Sequence, residues 1–328
     1  MDIFKRKKEP TPSIVLDTYW KFACERQNVF FNRINNANSL SVDEILLKHK
    51  FTNAYRASDR VSQYLIKDVI YSKGNNSELD TFLRILLFKI FNKISTWELL
   101  QSEIGTVSFK SFNFKTINRI LSEAKNSKET IYSGAYIMTS GKSIFGFDSK
   151  HSNHLKLLEK HITPAFLDKL ISSKSLKGIY NLLLNIPTFG PFLAYQYTID
   201  LNYSELINFS EMDFVVPGPG ARDGIRKCFT NLGDYSETDI IRWVTEKQET
   251  EFNRLGLNFK TLWGRPLQLI DCQNLFCETD KYARVAHPDI QGISDRKRIK
   301  QIYKPVSKKI DYFYPPKWGI NGIIAQNS

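Results

Sequence analysis

The sequence predicts a mostly α-helical globular protein, and three observations carry that expectation. Apolar side chains recur at three- and four-residue spacing through much of the chain, strand-like alternation is scattered, and no internal repeat is visible. The 328 residues suit one large domain or two joined lobes. Hydrophobic residues make up 42% and aromatics 13%, enough for a sizeable core and against global disorder.

The elements are read in order. Residues 1–12 carry the run Lys5-Arg6-Lys7-Lys8 and two prolines and are expected to form a mobile basic tail. From Ser13, the residues Ile14, Leu16, Tyr19, Trp20, Ala23 and Phe30 trace one helix face. Ser39 or Ser41 is a candidate cap for a short helix through Asp43–Leu47. Tyr55, Arg56, Asp59 and Arg60 stand three and four apart and should share a helix face. Asp80–Ile94 reads as a buried apolar helix, and Ser95-Thr96 opens another at Trp97. Residues 130–150, with Gly134, Gly141 and Gly146, read as loop or short strand. Helices resume at Thr163-Pro164, over Ser175–Leu184, after Gly190, and from Ser236 through Trp243. Cys277–Tyr282 is a polar cluster that reads either as a helix start with a buried thiol or as part of a site.

Charge narrows the partners. Lys and Arg total 46 against 34 Asp and Glu, a net charge of +12 and a pI near 9.3, which favours a polyanion, with nucleic acid ahead of an anionic membrane. Lys281–Lys309 hold nine Lys or Arg and two Asp ahead of Tyr312-Phe313-Tyr314-Pro315-Pro316-Lys317-Trp318. That mixture either tracks phosphates and stacks on bases, or packs its rings on the core beneath a solvated basic face. Cys24, Cys228, Cys272 and Cys277 show no CxxC spacing, which argues against a zinc ribbon or a regular iron–sulfur cluster. No apolar secretion core follows the N-terminus and no long apolar run could span a bilayer, so a reducing cytoplasm with free thiols is expected.

The most informative stretch is Leu184–Gln196, with helical pattern on both sides of Pro187-Thr188-Phe189-Gly190. It resembles the helix–hairpin–helix motif of the DNA glycosylase superfamily. Ile186, Pro187, Gly190 and Ala194 match, and Thr188 replaces the first hairpin glycine. Such a turn offers backbone amides at a helix N-terminus and grips phosphate without reading sequence. Glu211 and Asp213 follow, and Asp213 leads into Pro217-Gly218-Pro219-Gly220-Ala221-Arg222, a rigid turn able to start a helix. Together with Phe51–Arg60 and Asn274–Arg284, these motifs look like the glycosylase-like helical proteins linked to hypermodified phage DNA. That group includes the α-glutamyl/putrescinyl thymine pyrophosphorylases, the helical domain of 5-hydroxymethyluracil DNA kinases, and anti-phage glycosylases acting on glucosylated 5-hydroxymethylcytosine.

The resemblance implies a helix–hairpin–helix fold of two helical lobes with a cleft, over residues 13–285 with the hairpin at 186–194 and a basic aromatic extension at 286–328. It also implies a monofunctional glycosylase that flips out a hypermodified base of phage DNA and serves in defence against phage. Asp213, with Glu211 second, would stabilise positive charge on the sugar. Phe192 occupies the position of the Schiff-base lysine, so the expected product is an abasic site in an intact strand. Thr188, Phe189, Gly190 and Arg222 would meet phosphates. Arg56, Asp59, Glu278, Asp280 and Tyr282 would line the pocket. A monomer is expected, with no cofactor other than a structural monovalent cation at the hairpin. The alternative is a non-catalytic DNA-binding module serving a thymine or hydroxymethyluracil hypermodification pathway; an RNA-binding protein fits the charge but not the motif order. Two patterns are set aside. Gly134–Ser143 ends like a phosphate-binding loop but has Tyr136 where the leading glycine belongs. His151, His154 and His161 make a poor metal set and read as surface residues or phosphate donors.

Overall fold

A computed structural model describes residues 7–74, 77–306 and 309–326. Its regular elements, in order, are β1 (Thr11–Pro12), α1 (Ile14–Ile34), α2 (Glu44–Lys48), α3 (Arg60–Tyr64), α4 (Glu78–Phe91), α5 (Ile94–Ile104), α6 (Phe114–Asn126), α7 (Lys142–Phe145), α8 (Lys150–His161), α9 (Pro164–Ile171), α10 (Leu176–Leu184), α11 (Pro191–Asn202), α12 (Pro219–Cys228), β2 (Phe229–Asn231), α13 (Glu237–Arg254), α14 (Leu269–Ala286) and α15 (Asn321–Gln326). Single 3-10 turns lie at Arg56–Ser58 and Pro316–Trp318, and a π-helical turn at Leu65–Ile70 continues α3. The protein is mostly helical, as expected. No helix among the described residues is long and apolar enough to cross a membrane.

The described chain divides into two compact units. The first holds the residues up to Asp59, Phe214–Asp311 and the residues from Ile323, and the second holds Arg60–Asp213 and Tyr312–Gly322. In the first unit the apolar face of α1 fills the core, with Tyr19 against Phe276 (ring centroids 4.7 Å apart) and Trp20 against Phe252 (5.0 Å). Helix α12 crosses α14 so closely that a Cβ on Gly224 would lie 2.0 Å from the carbonyl oxygen of Phe276. The second unit is built on α4, whose residues Phe82–Phe91 are all buried. Ser77 and Asp80 cap α4 reciprocally, so the helix starts earlier than the apolar run implies, and Asn92 ends it with φ +48°.

Several local expectations are corrected. Residues 8–12 are docked rather than mobile: the Lys8 amide donates to Asp234 (2.8 Å), Thr11 pairs with Asn231, and Trp243 donates to Glu9 (3.1 Å). Lys5 and Arg6 lie outside the described residues. Asp43, not Ser39 or Ser41, caps α2, its Oδ1 accepting from the amides of Ile45 (2.8 Å) and Leu46 (3.0 Å). His151 and His154 are buried rather than on the surface, bonded to Ser122 (2.9 Å) and to Tyr132 (2.9 Å). Nε2 of His154 donates to the Thr139 carbonyl (2.8 Å), and burial lowers its pKa to about 4, so it packs as a neutral ring. The C-terminal aromatics pack inward: Tyr314 is fully buried and stacks on Tyr312 and Trp318.

Candidate functional site

The phosphate-binding turn predicted from the sequence joins α10 to α11. Asn185–Gly190 reverses the chain, with the Phe189 amide donating to Ile186 O (3.1 Å) and the Ala194 amide to Gly190 O (2.9 Å). Pro191 has no amide hydrogen, and no described atom accepts from the amides of Phe192 or Leu193, so these two donors head α11. Gly190 caps α11 at φ −73°, with open space where a Cβ would stand. The tight position is Thr188, which takes φ +73°. This is the conformation that a glycine would adopt freely and a β-branched residue resists. The Thr188 methyl faces Gly141, its hydroxyl oxygen is buried without a hydrogen-bond partner, and Phe189 stacks on Tyr197 (4.5 Å).

Behind the turn lies a group that the sequence reading missed. Phe192 stacks on Tyr136 (5.8 Å, 5° between planes). The ammonium of Lys89 lies 3.8 Å from the centroid of the Tyr136 ring and pairs with Asp200 at 3.2 Å. Lys89 and Asp200 are both buried, so each needs the other. A lone lysine in the apolar run of α4 was the available signal.

Glu211 is buried, while Asp213 is exposed in a turn whose amide donates to Ser210 O (3.2 Å). Nearby in the same unit, Lys317 donates to the carbonyls of Ser204 and Ile207 (2.7 Å each), and burial lowers its pKa. Gly134–Ser143 runs as loop into α7, where Lys142 pairs with exposed Asp148 (2.6 Å). The element that leads into it is helix α6, not a strand, so the strand–loop–helix setting of a P-loop is missing.

The remaining candidates belong to the first unit. Arg56 and Asp59 do not share an α-helix face, because the chain makes a 3-10 turn over Arg56–Ser58 and Asp59 is extended (ψ 143°) before α3, while three carboxylates hold amides at residues 52, 53 and 56. Glu278 accepts from Thr52 N (3.0 Å), Asp59 from Asn53 N (2.8 Å) and Asp271 from Arg56 N (2.9 Å). Burial pushes the Asp59 carboxyl up to about 6, against the Asn53 amide and the fields of Arg26 and Arg56, with Glu278 adding to the rise. Glu278 also pairs with Lys281 (2.8 Å), whose ammonium sits over Phe51 (4.6 Å).

Cys277–Tyr282 lie well inside α14, which corrects their reading as a helix start. Asp280 is buried and holds Lys227 (3.0 Å) and Arg284 (2.5 Å). Asp223, one helix away, takes the Ser294 amide and hydroxyl (2.7 Å each) and the guanidinium of Arg296. Those bonds outweigh its burial and hold its carboxyl down to about 2. Tyr282 donates to Asp43 (2.7 Å), and Arg222 pairs with Glu237 (3.2 Å). Asp280 and Tyr282 are thus bound into the architecture of the first unit. The hairpin residues, Glu211 and Asp213 belong to the second.

Comparison with known proteins settles the family. The family model described as the helical domain of 5-hmdU DNA kinase matches residues 13–292. A 5-hmdU DNA kinase of Bacillus phage SP10 is 25% identical over 299 residues, which cover 84% of this chain and 46% of that protein. The chain therefore spans about half the length of this curated relative. No solved structure matches. The relative is named a DNA kinase, a transferase, not a hydrolase of N-glycosyl bonds. This overturns the glycosylase reading, and with it base flipping, the abasic product and the role in phage defence. The chain belongs to the family of 5-hmdU DNA kinase helical domains.

Proposed function

We propose that the chain is a DNA-binding helical module that holds 5-hydroxymethyluracil-containing DNA for phosphoryl transfer by a kinase active site outside these residues. Family membership over residues 13–292 carries this reading. Its chemistry is coherent. The 5-position of a thymine-like base faces the major groove, so a hydroxymethyl group there is open to a kinase while the base stays paired. What remains for a helical module is to fix the duplex through its phosphates, which needs no sequence readout. The α10–α11 turn, a helix–hairpin–helix-like feature, suits that task through its Phe192 and Leu193 amides and the positive end of α11.

The test is fluorescence anisotropy on duplexes containing 5-hydroxymethyluracil or thymine, with Gly190→Asp as the probe. A side chain fits at Gly190 without clash, and aspartate is a good helix cap, so the fold should hold while a negative charge meets the phosphate. Affinity should fall roughly tenfold, about 1.4 kcal/mol, at an unchanged melting temperature. Incubation with ATP should leave the DNA unphosphorylated until a 5-hmdU DNA kinase is added. Failure of the chain to bind duplex DNA, or release of free base, would overturn the reading.

A further inference from the structure

Residues 296–304 (Arg-Lys-Arg-Ile-Lys-Gln-Ile-Tyr-Lys) form no helix, yet they are pinned along their length. Arg296 is bound by Asp223, and Arg284 donates to Arg298 O (3.1 Å). The Lys50 amide donates to Gln301 O (3.0 Å), the Tyr303 amide to Lys48 O (3.0 Å), and Arg33 to the Tyr303 hydroxyl (3.3 Å). The bridge between His49 and Ile302 thus sets Lys48 and Lys50 one strand spacing, about 4.8 Å, from this segment. Lys48, Lys50, Lys297, Arg298, Lys300 and Lys304 are all exposed. Within 44–50 and 295–304 the exposed acids are Glu44 and Asp295 alone.

We propose that these six side chains form a phosphate-contacting ridge for the DNA backbone, separate from the α10–α11 turn. The proposal rests on the reading that the chain holds DNA, and it adds a surface whose 297–304 limb lies outside the residues matched by the family model. A segment anchored at five points, three of them on its backbone, while its cations stay in water has already met much of the ordering cost of binding. Alternation places Lys300 and Lys304 on one face of the extended segment, and four residues of strand span roughly 13 Å, close to four times the 3.4 Å axial phosphate spacing of one strand. An anionic membrane fits less well, because the segment is not an amphipathic helix.

The experiment compares the salt dependence of duplex binding for the full chain, for Lys48→Gln/Lys50→Gln/Lys300→Gln/Lys304→Gln, and for a charge-matched control, Lys110→Gln/Lys115→Gln/Lys125→Gln/Lys128→Gln. The ridge variant should flatten the slope of log K against log salt by about 3.6, since each of four phosphate contacts contributes about 0.9, and the control should change it by less than 1. An unchanged slope in the ridge variant, equal flattening by the control, or ridge-dependent binding to phosphatidylserine vesicles or RNA but not to duplex DNA would overturn the ridge alone. A full chain that does not bind duplex DNA would instead remove the parent reading.

Discussion

Asp59 couples the first unit to pH through a single side chain. Its folded carboxyl is raised to about 6 from an ordinary value of 3.8. A raised folded pKa means that the folded state holds the proton more tightly, so this contribution is fully present below pH 3.8 and is lost as pH rises to 6. Asp59→Asn keeps an oxygen for the Asn53 amide and removes the ionisation. The variant should match the wild type near pH 4 and exceed it in urea-unfolding stability at pH 7–8; equal stability at both ends would mean that Asp59 is not raised. Thr188 makes a second case. Its left-handed backbone costs about 1–2 kcal/mol for a residue with a Cβ, partly offset by the 0.5–1 kcal/mol that glycine loses in entropy. Thr188→Gly should therefore raise stability by about 1 kcal/mol, as the buried hydroxyl is also removed. A loss of stability would show that the turn is not strained. The sequence located this turn but not its strain, because nothing local marks a threonine as left-handed.

Among the elements, those whose signal is local were legible. Ser236 opens α13 where expected, in a reciprocal cap with Asp239, and α1, α9, α10 and α13 follow their apolar spacing. The helix expected across Tyr55–Arg60 shortens to a 3-10 turn that ends at an extended Asp59, and the Arg56 amide is held by Asp271, 215 residues away, a partner that no local pattern reports. The α14 start was missed because its capping residue is Gln268, and because polar residues such as Asp271, Gln273 and Asp280 are buried in it alongside the apolar ones and blur the helical pattern. The α12–α14 crossing depends on two glycines four residues apart, which the sequence reading took only as turn and helix. Gly224→Ala would drive a Cβ into backbone at 2.0 Å, whereas Gly220→Ala meets the Cys277 sulfur at 3.1 Å, a side chain that can yield. Gly224→Ala should cost about 3 kcal/mol or more, by separating Lys227 from Asp280 and overpacking the crossing, while Gly220→Ala should cost about 1 kcal/mol. Chemical denaturation of the two variants checks the ranking, and equal losses would place the close approach elsewhere.

Over the whole molecule, charge and motif order led to the right family and the wrong chemistry. A carboxylate some twenty residues after a hairpin does not distinguish a glycosylase from a kinase's helical domain, since phosphate grip and catalysis need not reside in the same segment. The C-terminal stretch shows the same limit. Its basic half remains in the first unit, while Tyr312–Gly322 belong to the second, so the change from basic to aromatic composition coincides with a change of unit that composition alone does not announce. There Tyr314 is fully buried between Tyr312 and Trp318, the Phe313 amide donates to Gln63 (2.8 Å), and Tyr71 packs on Phe313 (5.6 Å). Truncating a buried aromatic costs about 3–5 kcal/mol, a large part of a domain's usual 5–15 kcal/mol. Tyr314→Ala should therefore loosen the second unit selectively. Hydrogen exchange should show lost amide protection over residues 60–71 and 200–207, with α12 and α14 of the first unit retaining theirs. Uniform loss across both units would mean that they unfold as one, and unchanged exchange would mean that the aromatic segment lies on the second unit without supporting it.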